Sequence, residues 1–109
     1  MEKFNPMIFY ISTPDKKIAL ELANGIVTAK IAACANIFEN ITSIYRWQGK
    51  INTDPECMMI LKTTENRAQE LIDYIERHHP YEVPECIGIN IVKGSKNYLQ
   101  WIEDSISEE

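Results

Sequence analysis

Ile44-Tyr45-Arg46-Trp47-Gln48-Gly49-Lys50-Ile51 reads as the closed end of a β-hairpin, and the rest of the fold follows from it. Apolar and aromatic residues flank Gln48-Gly49 on both sides, and glycine supplies the positive φ that a primed turn needs. Upstream, Ile37, Phe38, Ile41, Ile44 and Tyr45, with Thr42 and Ser43 between them, have strand composition. Ala32 to Trp47 is therefore two strand pieces, or one long strand with a bulge near Glu39-Asn40. Downstream, the return arm runs from Lys50 to Thr64, irregular at Asp54-Pro55 and buried at Met58-Met59-Ile60-Leu61. Each arm is about 13 residues, or roughly 43 Å at strand rise.

The flanks of the hairpin repeat one pattern. Met7-Ile8-Phe9-Tyr10-Ile11 is a continuous apolar run of the kind found in a strand buried on both faces. Ser12-Thr13-Pro14-Asp15 then starts a helix, with Thr13 as N-cap, Pro14 at the first helical position and Asp15 near the positive dipole end. From Asp15 to Lys30, Ile18, Leu22 and Ile26 form one stripe, with Ala19, Ala23 and Val27 beside it. Gly25 within that helix costs about 1 kcal/mol against alanine unless close packing requires it. After the hairpin, Thr63-Thr64-Glu65 starts a second helix marked by Ala68, Leu71, Ile72 and Ile75. It ends at His78-His79, because Pro80 disfavours helix in the residue before it. Val83-Pro84 is extended, Ile87 to Val92 is a strand, and Tyr98, Leu99, Ile102 and Ile106 define a short last helix.

The order β-α-β-β-α-β-α makes residues 1–109 a single α+β domain, a ferredoxin-like split βαβ sandwich with a long central hairpin. Both main helices lie on one sheet face. A first helix of about 16 residues covers only about 24 Å, so Ile41, Ile44, Tyr45, Trp47 and Ile51 overhang it. An apolar, uncovered edge of that kind is normally paired, and self-association is the economical answer.

Composition narrows the function. Eleven basic against sixteen acidic residues give a net charge of −5, and no basic cluster offers a phosphate footprint, so nucleic acid is not an expected partner. No apolar stretch approaches the ~18 residues that a bilayer span needs, and Met1–Pro6 does not read as a secretory leader. Cys34, Cys57 and Cys86 form no C-x-x-C pair, which suits a reduced, intracellular protein. No nucleophile–base triad, P-loop, dinucleotide fingerprint or zincin motif appears, so no enzymatic activity and no organic cofactor are expected.

Five separated stretches resemble the CutA divalent-cation tolerance family: Ala32–Ile37, Ser43–Ile51, Met59–Thr64, His78–Glu85 and Tyr98–Ile102. The resemblance implies a ferredoxin-like homotrimer, cytoplasmic in most members, that binds copper or other divalent cations without an assigned catalytic activity. It also implies copper ligands at His78 and His79, and at a cysteine whose position here is Ser12. A hydroxyl is a poor copper ligand beside a thiolate, so a site of imidazoles plus a carboxylate such as Glu85 would favour Cu(II) or Zn(II) over Cu(I). His78 and His79 equally suit the negative pole of a helix, and adjacent helical residues diverge by about 100°.

Cys34, Cys57 and Cys86 read as structural thiols, and Lys62, following buried residues, calls for a carboxylate partner. Tyr81 stands between Pro80 and Pro84, a stiff segment suited to walling a cleft. Arg46, Trp47, Lys62, Tyr81, Glu82 and Glu85 thus form a candidate group, either intersubunit salt bridges or a small-ligand pocket. The first functional reading is metal-ion tolerance by binding. The alternatives are a trimeric small-ligand sensor like the PII signalling proteins, and a structural partner-binding scaffold.

Overall fold

Gln48 and Gly49 both have positive φ, 52° and 79°, so the chain reverses through a primed turn between two long strands. In the computed structural model, which describes residues 5–107, those strands are the centre of the element order. The order is β1 (Pro6–Thr13), α1 (Lys16–Thr28), β2 (Cys34–Trp47), β3 (Lys50–Thr64), α2 (Glu65–His78), β4 (Ile87–Asn90) and α3 (Lys96–Ser105). The strands form one antiparallel sheet in the order β2-β3-β1-β4. This is the split βαβ arrangement expected from the sequence.

Register decides the two sheet faces. Phe9 pairs with Leu61 and Ile11 with Met59, and these four share one buried cluster with Leu22 and Ile26 of α1 and Leu71 and Ile75 of α2. Both helices therefore cover the same face. Tyr10, paired with Ile60 and with Ile87, points to the opposite face. There Phe38 and Ile87 are about half exposed, at 49% and 53%.

Between α1 and α2 a Cβ on Gly25 would fall 2.0 Å from the Tyr74 hydroxyl, so the helices close to a distance that glycine permits.

β2 is one strand interrupted by one bulge. Phe38 pairs with Met58 but Ile41 with Glu56, and Asn40 takes a φ of 63°. The extra residue reverses the alternation of β2 beyond it. The hairpin arms reach well past α1, and the longest dimension of the molecule is 50 Å. Ile44 and Ile51 on the overhang are 69% and 60% exposed.

Two local expectations are corrected. The N-cap of α1 is Asp15, not Thr13: the Asp15 carboxylate accepts the Ile18 N–H at 2.9 Å, and α1 begins at Lys16. Thr13 remains in β1 and its hydroxyl donates to the Asp15 carbonyl. The carboxylate wins because it satisfies an orphan amide and places negative charge at the positive helix end. β4 stops at Asn90 instead of Val92, where the ladder with Met7 ends.

Candidate functional site

α2 ends at His78, and His79 turns into extended backbone (φ −76°, ψ 140°) before Pro80. The His79 ring is buried, and both its nitrogens are engaged. Nδ1 accepts the Tyr81 N–H at 3.1 Å, so Nε2 carries the proton and donates to the Ser12 carbonyl at 2.8 Å. His79 is thus neutral and anchors the segment after α2 to β1. Two residues on, the Tyr81 hydroxyl donates to Glu56 Oε2 at 2.6 Å. Burial first, and then the bond to Glu56, push the Tyr81 phenol well above its usual range. Two separate bonds thus tie the segment after α2 to the sheet, His79 to β1 and the Tyr81 hydroxyl to β3.

This segment and the hairpin overhang enclose an open cleft of about 840 Å³. Of the residues singled out in the sequence, Ser12, Arg46, Trp47, Tyr81, Glu82 and Glu85 all line it. Glu56 and Tyr45 line it too and were not anticipated. The bulge in β2 sets Ile41 opposite Glu56 and so decides which β2 residues share its face, a register that residue types alone do not reveal. The Tyr45 hydroxyl donates to the Asp54 carboxylate across the hairpin, and that bond raises the Tyr45 pKa.

Three expected members lie elsewhere. His78 is exposed and stacks on Tyr74, ring centroids 4.2 Å apart, while His79 lies behind the cleft wall. Lys62 sits on the far sheet face, where its ammonium donates to the Asn36 amide oxygen and not to a carboxylate. Asn36 is two residues from Cys34, the register partner of Lys62, and so shares its face. Among the described residues no group of three His, Cys, Asp or Glu side chains is placed to hold a metal ion. His78, His79, Glu85 and Ser12 therefore do not form a ready-made coordination site within one chain.

The thiols are all free. Cys57 is buried and Cys86 is pushed up to about 11, chiefly by burial. Cys34, expected in the core, is half-buried with Sγ 3.5 Å from the Tyr98 hydroxyl.

A four-stranded antiparallel split βαβ domain with an overlong central hairpin places the chain among small ferredoxin-like α+β proteins. The chain belongs to the CutA1 divalent ion tolerance protein family, whose model matches residues 7–105. It is 38% identical over 100 residues to the divalent-cation tolerance protein CutA of Salmonella newport, covering 92% of this chain and 87% of that one. It is 39% identical over 99 residues to the CutA homolog of Xenopus laevis, covering 91% and 66%. The chain spans about half to two-thirds of the length of the vertebrate and plant relatives it matches. The crystal structure of CutA1 from Oryza sativa superposes with a TM-score of 0.92 at 37% identity, covering 96% of each chain. That of the Ehrlichia chaffeensis protein gives 0.91 at 36%, covering 97% and 99%. Among the described residues, no helix is long and apolar enough to cross a membrane.

Proposed function

We propose that this protein acts in divalent-cation tolerance by binding copper or another divalent cation, as a homotrimer and without catalysis. Membership in a divalent ion tolerance family carries the reading. His78 supports it as the exposed imidazole, whereas His79 would have to give up its bond to the Tyr81 N–H before its Nδ1 lone pair became available. The uncovered apolar overhang, Ile44 and Ile51 above all, supports assembly with further copies. A cytoplasmic site of action agrees with three unpaired cysteines. A Cu(II) titration of the wild type beside His78→Ala and His79→Ala, with the mass of each in solution, tests the reading. Loss of binding in His78→Ala with assembly intact supports it, and unchanged binding in both variants overturns the histidine assignment.

A second reading, a small-ligand sensor of the PII type, is favoured by one observation. The cleft is far larger than a metal ion needs and falls within the ~300–1,000 Å³ of small-molecule pockets.

A further inference from the structure

Asn24-Gly25 is the one Asn-Gly step in the chain; every other asparagine precedes proline, isoleucine, threonine, arginine or tyrosine. With no side chain on Gly25, its backbone nitrogen can swing onto the Asn24 side-chain carbonyl carbon, an approach that a bulkier residue obstructs. Packing requires the glycine, since a Cβ there would fall 2.0 Å from the Tyr74 hydroxyl. Asn24 itself is exposed to water. What holds the two groups apart is α1, which runs from Lys16 to Thr28. The Asn24 Nδ2 donates to the Leu20 carbonyl at 2.9 Å, which pins the side chain along the helix. The Gly25 N–H lies inside the helix, directed at the carbonyl four residues before it and away from the Asn24 side chain. α1 has no acidic side chain in its first turn and no basic one in its last, and the left-handed residue after its end is Lys30, φ 62°, instead of glycine. Its closure therefore leans on the Asp15 cap and on core packing.

We propose that Asn24-Gly25 is a latent self-modification site that α1 locks, and that opening of α1 releases it. In the opened helix the Gly25 nitrogen attacks the Asn24 side-chain carbonyl carbon. A carbon–nitrogen bond forms there, the bond to Nδ2 breaks, and ammonia leaves with the proton from the Gly25 nitrogen. The product is a five-membered succinimide. Water opens that ring at either carbonyl, giving aspartate or isoaspartate at this position with no oxidant or reductant. An isoaspartyl link adds a methylene to the backbone, which shifts Gly25 from its place against Tyr74 and Ile26 from the core. α1 then cannot close in its former register, so a chain that has opened and reacted is marked irreversibly. The proposal is independent of the cleft and of any metal.

The test incubates the full chain at mildly alkaline pH, in native buffer and in denaturing urea. Mass spectrometry of the peptide spanning α1 follows the mass gain of amide-to-acid conversion, and chromatography separates aspartate from isoaspartate. Asn24 is the only side-chain amide in α1, so the signal is unambiguous. In urea Asn24 is expected to react ahead of every other asparagine. In native buffer it is expected to react about a hundredfold more slowly or less, because only the open fraction is competent. Asp15→Ala removes the cap of α1 and should raise the native rate about fivefold while leaving the rate in urea unchanged. Tyr81→Phe weakens the fold away from α1 and should leave the native rate as it is. Equal rates in native buffer and in urea overturn the proposal, as does another asparagine reacting first in urea. An unchanged native rate in Asp15→Ala overturns it too. Equal acceleration by Asp15→Ala and Tyr81→Phe overturns α1 as the lock and assigns that role to the whole fold.

Discussion

The Tyr81 hydroxyl and the Glu56 carboxylate, 25 residues apart in sequence, meet at 2.6 Å and join the segment after α2 to the return arm of the hairpin. With His79 holding the same segment to β1, the bond sets one wall of the cleft against the other. Tyr81→Phe keeps the ring and removes the bond. A loss of about 1–2 kcal/mol is expected in urea unfolding, since the acceptor is charged and part-buried. In a double-mutant cycle with Glu56→Gln the two losses should not add. Additive losses would show that the bond contributes nothing.

Stability should fall on the alkaline side. Cys86 is raised to about 11 from an ordinary 9.0 by burial, and Tyr98 to about 12 from 10.0, first by its bond with Cys34 and then by burial. In both, the folded state holds its proton after the unfolded chain has released it. The contribution is complete below pH 9 and is lost as pH rises through about 11 and 12. Urea midpoints from pH 8 upward should therefore decline from about pH 9, and Cys86→Ala should flatten the first part of the decline. A midpoint that stays level to pH 11 would contradict this.

Gly25 should resist alanine. Helix propensity alone favours Gly25→Ala by about 1 kcal/mol. The new methyl would overlap the Tyr74 hydroxyl, at 2.0 Å, and overpacking of this kind costs about 1–3 kcal/mol. A net thermal destabilisation is expected, shrinking when Tyr74→Phe removes the hydroxyl. If Gly25→Ala destabilises equally in both backgrounds, Tyr74 is not the obstacle.

Trp47 is 41% exposed near the hairpin tip. Light scattering at micromolar concentration should return about three times the chain mass. Trp47→Ala should weaken that assembly, by about 3 kcal/mol if the indole becomes buried between copies. Coupled folding and assembly also make the melting temperature rise with protein concentration. A stable monomer whose melting ignores concentration would end the trimer proposal.

Replacing Ser12 by cysteine tests the metal preference. A thiolate selects soft Cu(I), whereas imidazole and carboxylate donors suit Cu(II) and Zn(II). Ser12→Cys should raise Cu(I) affinity and leave that for Zn(II) nearly constant, measured by competition with a chromophoric chelator. An equal gain for both ions would argue against a role for this position in choosing the metal.

The element order was legible because its signals are local. Gln48-Gly49, the four-residue stripes of α1, and Pro80 after His79 each act within a turn or two of chain, where propensity and turn chemistry dominate. The overhang was legible too, since strand and helix rise differ per residue and lengths can be compared before any contact is known. The misplaced cap shows the limit. Thr13 and Asp15 both qualify by type, and only the path of the chain after Pro14 lets the Asp15 carboxylate reach the Ile18 amide.

The cleft was half legible. Tyr81, Glu82 and Glu85 share a short segment stiffened by Pro80 and Pro84, and Arg46 and Trp47 share the hairpin tip, so each group is visible in sequence. That they line one cleft together with Ser12, with Lys62 and His78 elsewhere, is not. One inserted residue at Asn40 reverses which side chains of β2 beyond it share a face with Glu56, and side-chain alternation carries no mark of register until strands pair. The fate of His79 is tertiary for the same reason. A histidine at a helix end is free to cap, to titrate or to bind metal, and it became a buried neutral link only because the Ser12 carbonyl and the Tyr81 amide arrived on its two nitrogens.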